Sequence, residues 1–455
     1  MRSTVTAAAL GLLLATATAT PTSARAEGEV AIPFTKARLP NDLTVIFHED
    51  HSVPIVVVDV SYDVGSANEV KGRTGFAHLF EHLMFMGTRR APPKAFDAWM
   101  EGVGGWNNAW TSEDRTNYYD VGPPTSLGLL LWLEADRMRD LGPLMTREKL
   151  DAQREVVRNE RRQTSENTPY GKVHLRLPEL VWPEGHPYHH PVIGSHADLE
   201  AAEVADVKAF FAEHYDPANA VLVVAGDFSP ATVRPLVDRW FGSAPSRAAK
   251  TASTEAQRKP VVKPLDTVVR ETIEDDVELP KVVMAWRTPE HFSDEDAQLD
   301  LLGAALAMGK ASRLYKALVY DQKIAQSVDA AQSSGSLAST FEVDVVARPG
   351  VDLGKLEAAV DKELAKVRST PLTDAELTRA KNLVETAFVT RLQSVRERAS
   401  LLAMYETEQK DPGFAAKDLE RYRKATKDAV RATAAKYLLP EGRVIVRAVP
   451  RKKKP

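Results

Sequence analysis

The run Phe76-Ala-His-Leu-Phe-Glu-His-Leu-Met84 constrains this 455-residue chain more than any other stretch. Phe76, Leu79, Phe80, Leu83, Met84 and Phe85 leave His78, Glu81 and His82 as its only polar side chains. A helix apolar nearly all round belongs in an interior, where two imidazoles and a carboxylate need partners. Residues three and four apart share a helix face, so His78 and His82 can bind one metal ion while Glu81 reaches the water on it. The plainer alternative is a helix with two half-buried histidines and a surface glutamate. The apolar surroundings favour the metal, because zinc would satisfy all three groups at once.

A catalytic zinc takes three protein ligands and keeps one position open. The chain has no Cys, so the third ligand should be His, Asp or Glu. Thr146 to Glu166 reads as one long charged helix ending before Pro169, and Glu160 on it is a candidate. Among 63 acidic residues, spacing alone does not single it out. With zinc in place, Glu81 would be the general base that takes a proton from water and passes it to the leaving amine.

Further short motifs surround this core: Gly65-Ser66, Gly75 through the metal motif to Gly87-Thr88, Gly104-Gly105, Asn108-Ala109 and Thr111. They continue through Glu155-Val-Val-Arg-Asn-Glu160, His186-Pro-Tyr188, Ile193-Gly194-Ser195, Tyr215-Asp-Pro-Ala-Asn219 and Val221 to Asp227. In this order they resemble the pitrilysin-type, or inverted-zincin, peptidases, whose signature is H-x-x-E-H. The likeness is to the half-length bacterial and mitochondrial-processing-peptidase-like members.

The resemblance implies Glu160 as third ligand, one Zn²⁺ per chain, and peptide substrates cleaved in an enclosed chamber. It also implies that Gly104 to Ser112 is an edge strand whose Asn108, Ala109 and Thr111 hold extended substrate by strand addition. The family often has a second Glu seven residues before the ligand; Gln153 stands there, able to hydrogen-bond near the site but not to add charge. Self-sufficient relatives carry an Arg and a Tyr seven residues apart in the later half, and Val319 and Gln326 fall on those positions. A homologous zinc-free subunit supplying that pair is therefore expected, with a homodimer as the alternative. A structural or chaperone-like binding subunit of the same fold is the other reading of the whole chain.

Residues 1–26 carry Arg2, an apolar run from Val5 to Ala15, and Ala24-Arg25-Ala26 ahead of Glu27, the pattern of a secretory signal cleaved at Ala26/Glu27. A periplasmic or secreted protein with no integral membrane segment after cleavage is expected. Without Cys there is no disulfide scaffold, so apolar burial must hold the fold together. Losing Arg2 and Arg25 leaves 57 basic residues from 59, against 63 acidic, a balance that argues against nucleic-acid binding. The terminal Arg451-Lys-Lys-Lys454 reads as a solvated tail.

The organisation is α+β twice over: two similar α/β-sandwich halves, each an antiparallel-rich sheet packed against helices. Residues 27–242 form the zinc-bearing half, 243–262 a polar linker, and 263–455 a metal-free half. Strand-like runs lie at Leu43 to Phe47, Ile55 to Val64, Val221 to Ala225, Val282 to Trp286 and Phe341 to Ala347. Thr373-Asp-Ala-Glu376 is a capping box opening a long helix. Laying Met86-Gly87 on Met308-Gly309 puts Asp300, Gly303 and Ala304 where the first half has His78, Glu81 and His82, so the second half cannot build the same site. His186, His189 and His190, framed by Pro187 and Pro191, read as a structural loop rather than a second metal site.

Overall fold

A computed structural model describes residues 30–246 and 263–451. The expected signal segment, most of the expected linker (247–262) and the tail beyond Arg451 lie outside the described residues. Both expected halves are present. The first contains β1 (Thr35–Arg38), β2 (Thr44–Glu49), β3 (Val56–Tyr62), α1 (Phe76–Leu83), α2 (Ala95–Gly102), β4 (Trp106–Thr111), β5 (Thr116–Gly122), α3 (Leu127–Asp140) and α4 (Arg147–Glu160). It continues with α5 (Gly171–Val181), α6 (His196–Glu200), α7 (Val204–His214), β6 (Ala220–Gly226) and α8 (Pro230–Trp240). The second contains β7 (Val269–Asp275), β8 (Lys281–Thr288), α9 (Asp294–Ala307), β9 (Ala325–Ser333), β10 (Ser339–Ala347), α10 (Leu353–Ser369) and α11 (Asp374–Arg391). It closes with α12 (Val395–Gln409), α13 (Ala415–Lys424), α14 (Lys427–Tyr437) and β11 (Val444–Pro450).

The first sheet runs β1-β2-β6-β3-β5-β4 and the second β7-β11-β8-β10-β9. In each, one pair is parallel (β2 with β6, β7 with β11) and every other is antiparallel. Without β1, the two orders and senses correspond strand for strand. That correspondence sets α9 in the place of α1, as the Met-Gly alignment expects. The strands are rich in Val and Ile, whose branched side chains suit a pleated, buried surface. One face of β3, with Val56, Val58, Val60 and Tyr62, shares a core with Leu79, Phe80 and Leu83 of α1 and with Leu130 and Leu131 of α3.

Each half lends a helix to the other's sheet. Val173, Leu177 and Val181 of α5 pack on Val283, Ala285, Val444 and Val446 of the second sheet. In return α12 crosses β3 and β6 of the first sheet. Its Arg398 bonds His48 (2.8 Å) and Asp50, while Glu406 pairs with Lys36 at 2.6 Å. Leu401 and Leu402 on α12 are almost wholly buried. At about 1.5–3 kcal/mol per buried large side chain, separating the halves would be costly. From Ala31 onward the chain forms one compact unit.

Two details bear on the site. The expected helix from Thr146 to Glu166 ends as α-helix at Glu160 and widens into a π-helical turn over Arg161–Glu166. Within that turn the Thr164 hydroxyl donates to the Glu160 carbonyl at 2.9 Å. The other detail is Gly303 on α9, in the Glu81 position of the repeat. A Cβ there would lie 2.8 Å from the Ala330 carbonyl oxygen on β9, so the second half has no room for a side chain where the first holds its carboxylate. Gly303→Ala is expected to lower stability by about 1–3 kcal/mol despite alanine's better helix propensity, because backbone must give way. Urea denaturation would measure it, with zinc content unchanged.

Candidate metal centre

α1 presents His78 and His82 one turn apart, with ring centroids separated by 4.8 Å. Glu160, the last α-helical residue of α4, meets them from the neighbouring helix. Its Oε2 lies 3.1 Å from His82 Nε2 and 3.8 Å from His78 Nε2. One ligand atom from each residue falls within 4.8 Å of the others. Four-coordinate zinc with bonds of about 2.0–2.1 Å sets its ligand atoms roughly 3.3 Å apart. The two measured separations bracket that value, and two imidazoles with one carboxylate are a donor set zinc accepts. Among the described residues this is the one cluster able to hold a metal.

Burial, and then the neighbouring His82, push the pKa of His78 down to about 4, so its ring is neutral and its lone pair free at neutral pH. Burial raises that of Glu81, against the pull of the Thr111 hydroxyl and the His82 ring. The hydrogen bond from His82 holds the Glu160 carboxyl below its ordinary value. A carboxylate that is raised yet beside the ligands is suited to exchange protons, while Glu160 stays an anion.

Of the other expected site residues, Thr111 donates to Glu81 Oε2 at 2.5 Å, so it meets the carboxylate directly. Asn108 and Ala109 lie on β4, which among the described residues ends the sheet and pairs only with β5. Gln153 donates its amide to Met86 Sδ at 2.8 Å. Val319 is half-buried against the second core, and Gln326 is exposed on β9. His186 stacks on Trp182, His189 reaches the Trp182 carbonyl at 2.8 Å and His190 approaches Glu69, so the loop is built into the fold. Sequence reasoning missed Glu69 entirely; the only signal was an acid shortly before a helix that opens on glycine.

A repeated α+β fold with one two-histidine, one-glutamate cluster beside a free sheet edge defines a metallopeptidase-like class of protein. Residues 44–186 match the model for insulinase (peptidase family M16), and residues 201–384 match that for the peptidase M16 inactive domain. The chain is 30% identical to zinc protease PqqE of Helicobacter pylori over 78% of its own length and 79% of that protein's. It is 24% identical to the probable mitochondrial-processing peptidase subunit beta of Schizosaccharomyces pombe, covering 80% of each. A crystal structure of a protease from Helicobacter pylori superposes with a TM-score of 0.85 at 27% identity, over 92% of this chain and 100% of that one. The chain belongs to peptidase family M16.

Proposed function

We propose that the protein is a zinc-dependent endopeptidase acting on peptides or unfolded polypeptide segments in an enclosed chamber. The observation that carries this reading is the convergence of His78, His82 and Glu160 beside Glu81, at the open edge strand β4. Zinc, when bound, supplies a Lewis acid that polarises the scissile carbonyl and brings the pKa of water toward about 7. His78, His82 and Glu160 hold it. Glu81 takes the proton of the attacking water and delivers it to the leaving nitrogen, with Thr111 fixing its carboxylate. The unpaired side of β4, on which Asn108 and Ala109 lie, offers backbone hydrogen bonds to extended substrate. We further propose export to the periplasm or the exterior after cleavage at Ala26/Glu27, and assembly with a homologous zinc-free subunit rather than as a homodimer.

The test is metal analysis of the purified chain together with a fluorogenic peptide-library digest. About one zinc per chain is expected, with cleavage abolished by chelator and restored by added zinc. A protein that retains no zinc at micromolar supply and cleaves nothing would instead be a binding subunit of the same fold.

A further inference from the structure

The zinc helix begins without a cap of its own. Gly75 occupies the N-cap with φ of +87°, and a Cβ there would lie 2.7 Å from the Ile193 carbonyl oxygen. No Ser, Thr, Asp or Asn can serve at that position, although the first-turn N–H groups still need acceptors. Glu69 provides them from outside the helix. Its carboxylate accepts the Gly75 N–H at 2.8 Å and the Ala77 N–H at 2.7 Å. The side chain is wholly shielded from water, with His190 Nδ1 3.5 Å away. Beside it, Asp198 takes both the backbone N–H and the hydroxyl of Thr74, at 3.1 and 2.5 Å. Glu69 therefore holds the start of α1 and Asp198 the residue before its N-cap, and Glu69 is buried at a desolvation cost that its backbone donors offset.

His78 is the third residue of α1. Its Nδ1 is buried and has no hydrogen-bond partner among the described residues. Metal-binding histidines ordinarily have the second ring nitrogen held by a carboxylate or carbonyl, which sets the ring's direction. For His78 that task falls to the backbone beneath it. We infer that Glu69 is a positioning residue for the metal centre: it fixes the first turn of α1, and so the direction of His78, without touching His78, Glu81 or His82. The inference rests on the metal reading given above and extends it to a residue nine positions upstream of His78.

Glu69→Gln keeps the volume, but its amide oxygen can accept only one of the two N–H groups while its NH₂ faces the other, which needs an acceptor. Zinc affinity, followed by competition with a chromophoric chelator, is expected to weaken about tenfold or more. The visible absorption of the cobalt-substituted protein should shift, and kcat should fall with little change in KM. Glu69→Asp, which keeps the charge on a shorter stem, should lie between Glu69→Gln and the wild type and carries the comparison should Glu69→Gln fail to fold. Thr373→Ala is the control, since it removes the cap of α11 far from the metal and should leave zinc affinity and cobalt spectrum unchanged. A zinc affinity within about twofold of wild type in the folded Glu69 variants, well short of such an effect, would overturn the inference. A wild type that binds zinc but cleaves no peptide would end the peptidase reading and leave the Glu69 comparison intact.

Discussion

Glu81→Gln is expected to leave zinc bound and to lower turnover by roughly 10²–10⁴ or more. The substitution preserves shape, and the amide can still meet the Thr111 hydroxyl that lies 2.5 Å from the carboxylate. What it removes is the ability to hold a proton between water and leaving nitrogen. His82→Ala is expected to behave differently. It deletes a ligand 3.1 Å from Glu160 Oε2, so metal and activity should be lost together. Metal analysis and single-turnover kinetics on both proteins separate the roles. Near wild-type hydrolysis by Glu81→Gln would rule Glu81 out as the base.

The second large effect concerns the chain by itself. Val319, at the position where the family resemblance leads one to expect Arg, is apolar and half-buried against the second core, and Gln326 on β9 is exposed and neutral. Val319 has no donor for a tetrahedral oxyanion, and Gln326 offers a neutral amide in place of a phenol. A missing donor of that kind costs about 3–4 kcal/mol, or 10²–10³ in rate. The isolated protein is thus expected to be a slow peptidase, accelerated by that factor when a similar chain lacking the zinc motif and carrying the Arg/Tyr pair is added. Specific activity before and after addition, with mass measured in solution, decides between heteromer and homodimer. Full activity in the isolated chain, unchanged by any partner, would sink the proposal.

Much of the fold was legible because the signals are local. Alternating and continuous Val/Ile runs fell on β2, β3, β6, β8 and β10, and Thr373 and Glu376 form the reciprocal cap expected of them. Asp300, Gly303 and Ala304 stand at the corresponding positions of the second half, and the packing of Gly303 against Ala330 leaves no room for a side chain there. Less was legible where the helix after Thr146 turns π-helical, since periodicity does not distinguish a widened turn from a continuing α-helix.

From sequence alone came the candidate metal helix: spacing places His78, Glu81 and His82 on one face, and the apolar residues between them require that face to be partnered in an interior. Tertiary structure alone brought one carboxylate among 63 to 3.1 Å from His82, gave Glu69 the first turn of α1, and exchanged α5 and α12 between the sheets. Helical spacing is set by covalent geometry and can be read along the chain. Which distant carboxylate meets which N–H or imidazole depends on how two sheets and their helices pack in space, and no local pattern records that.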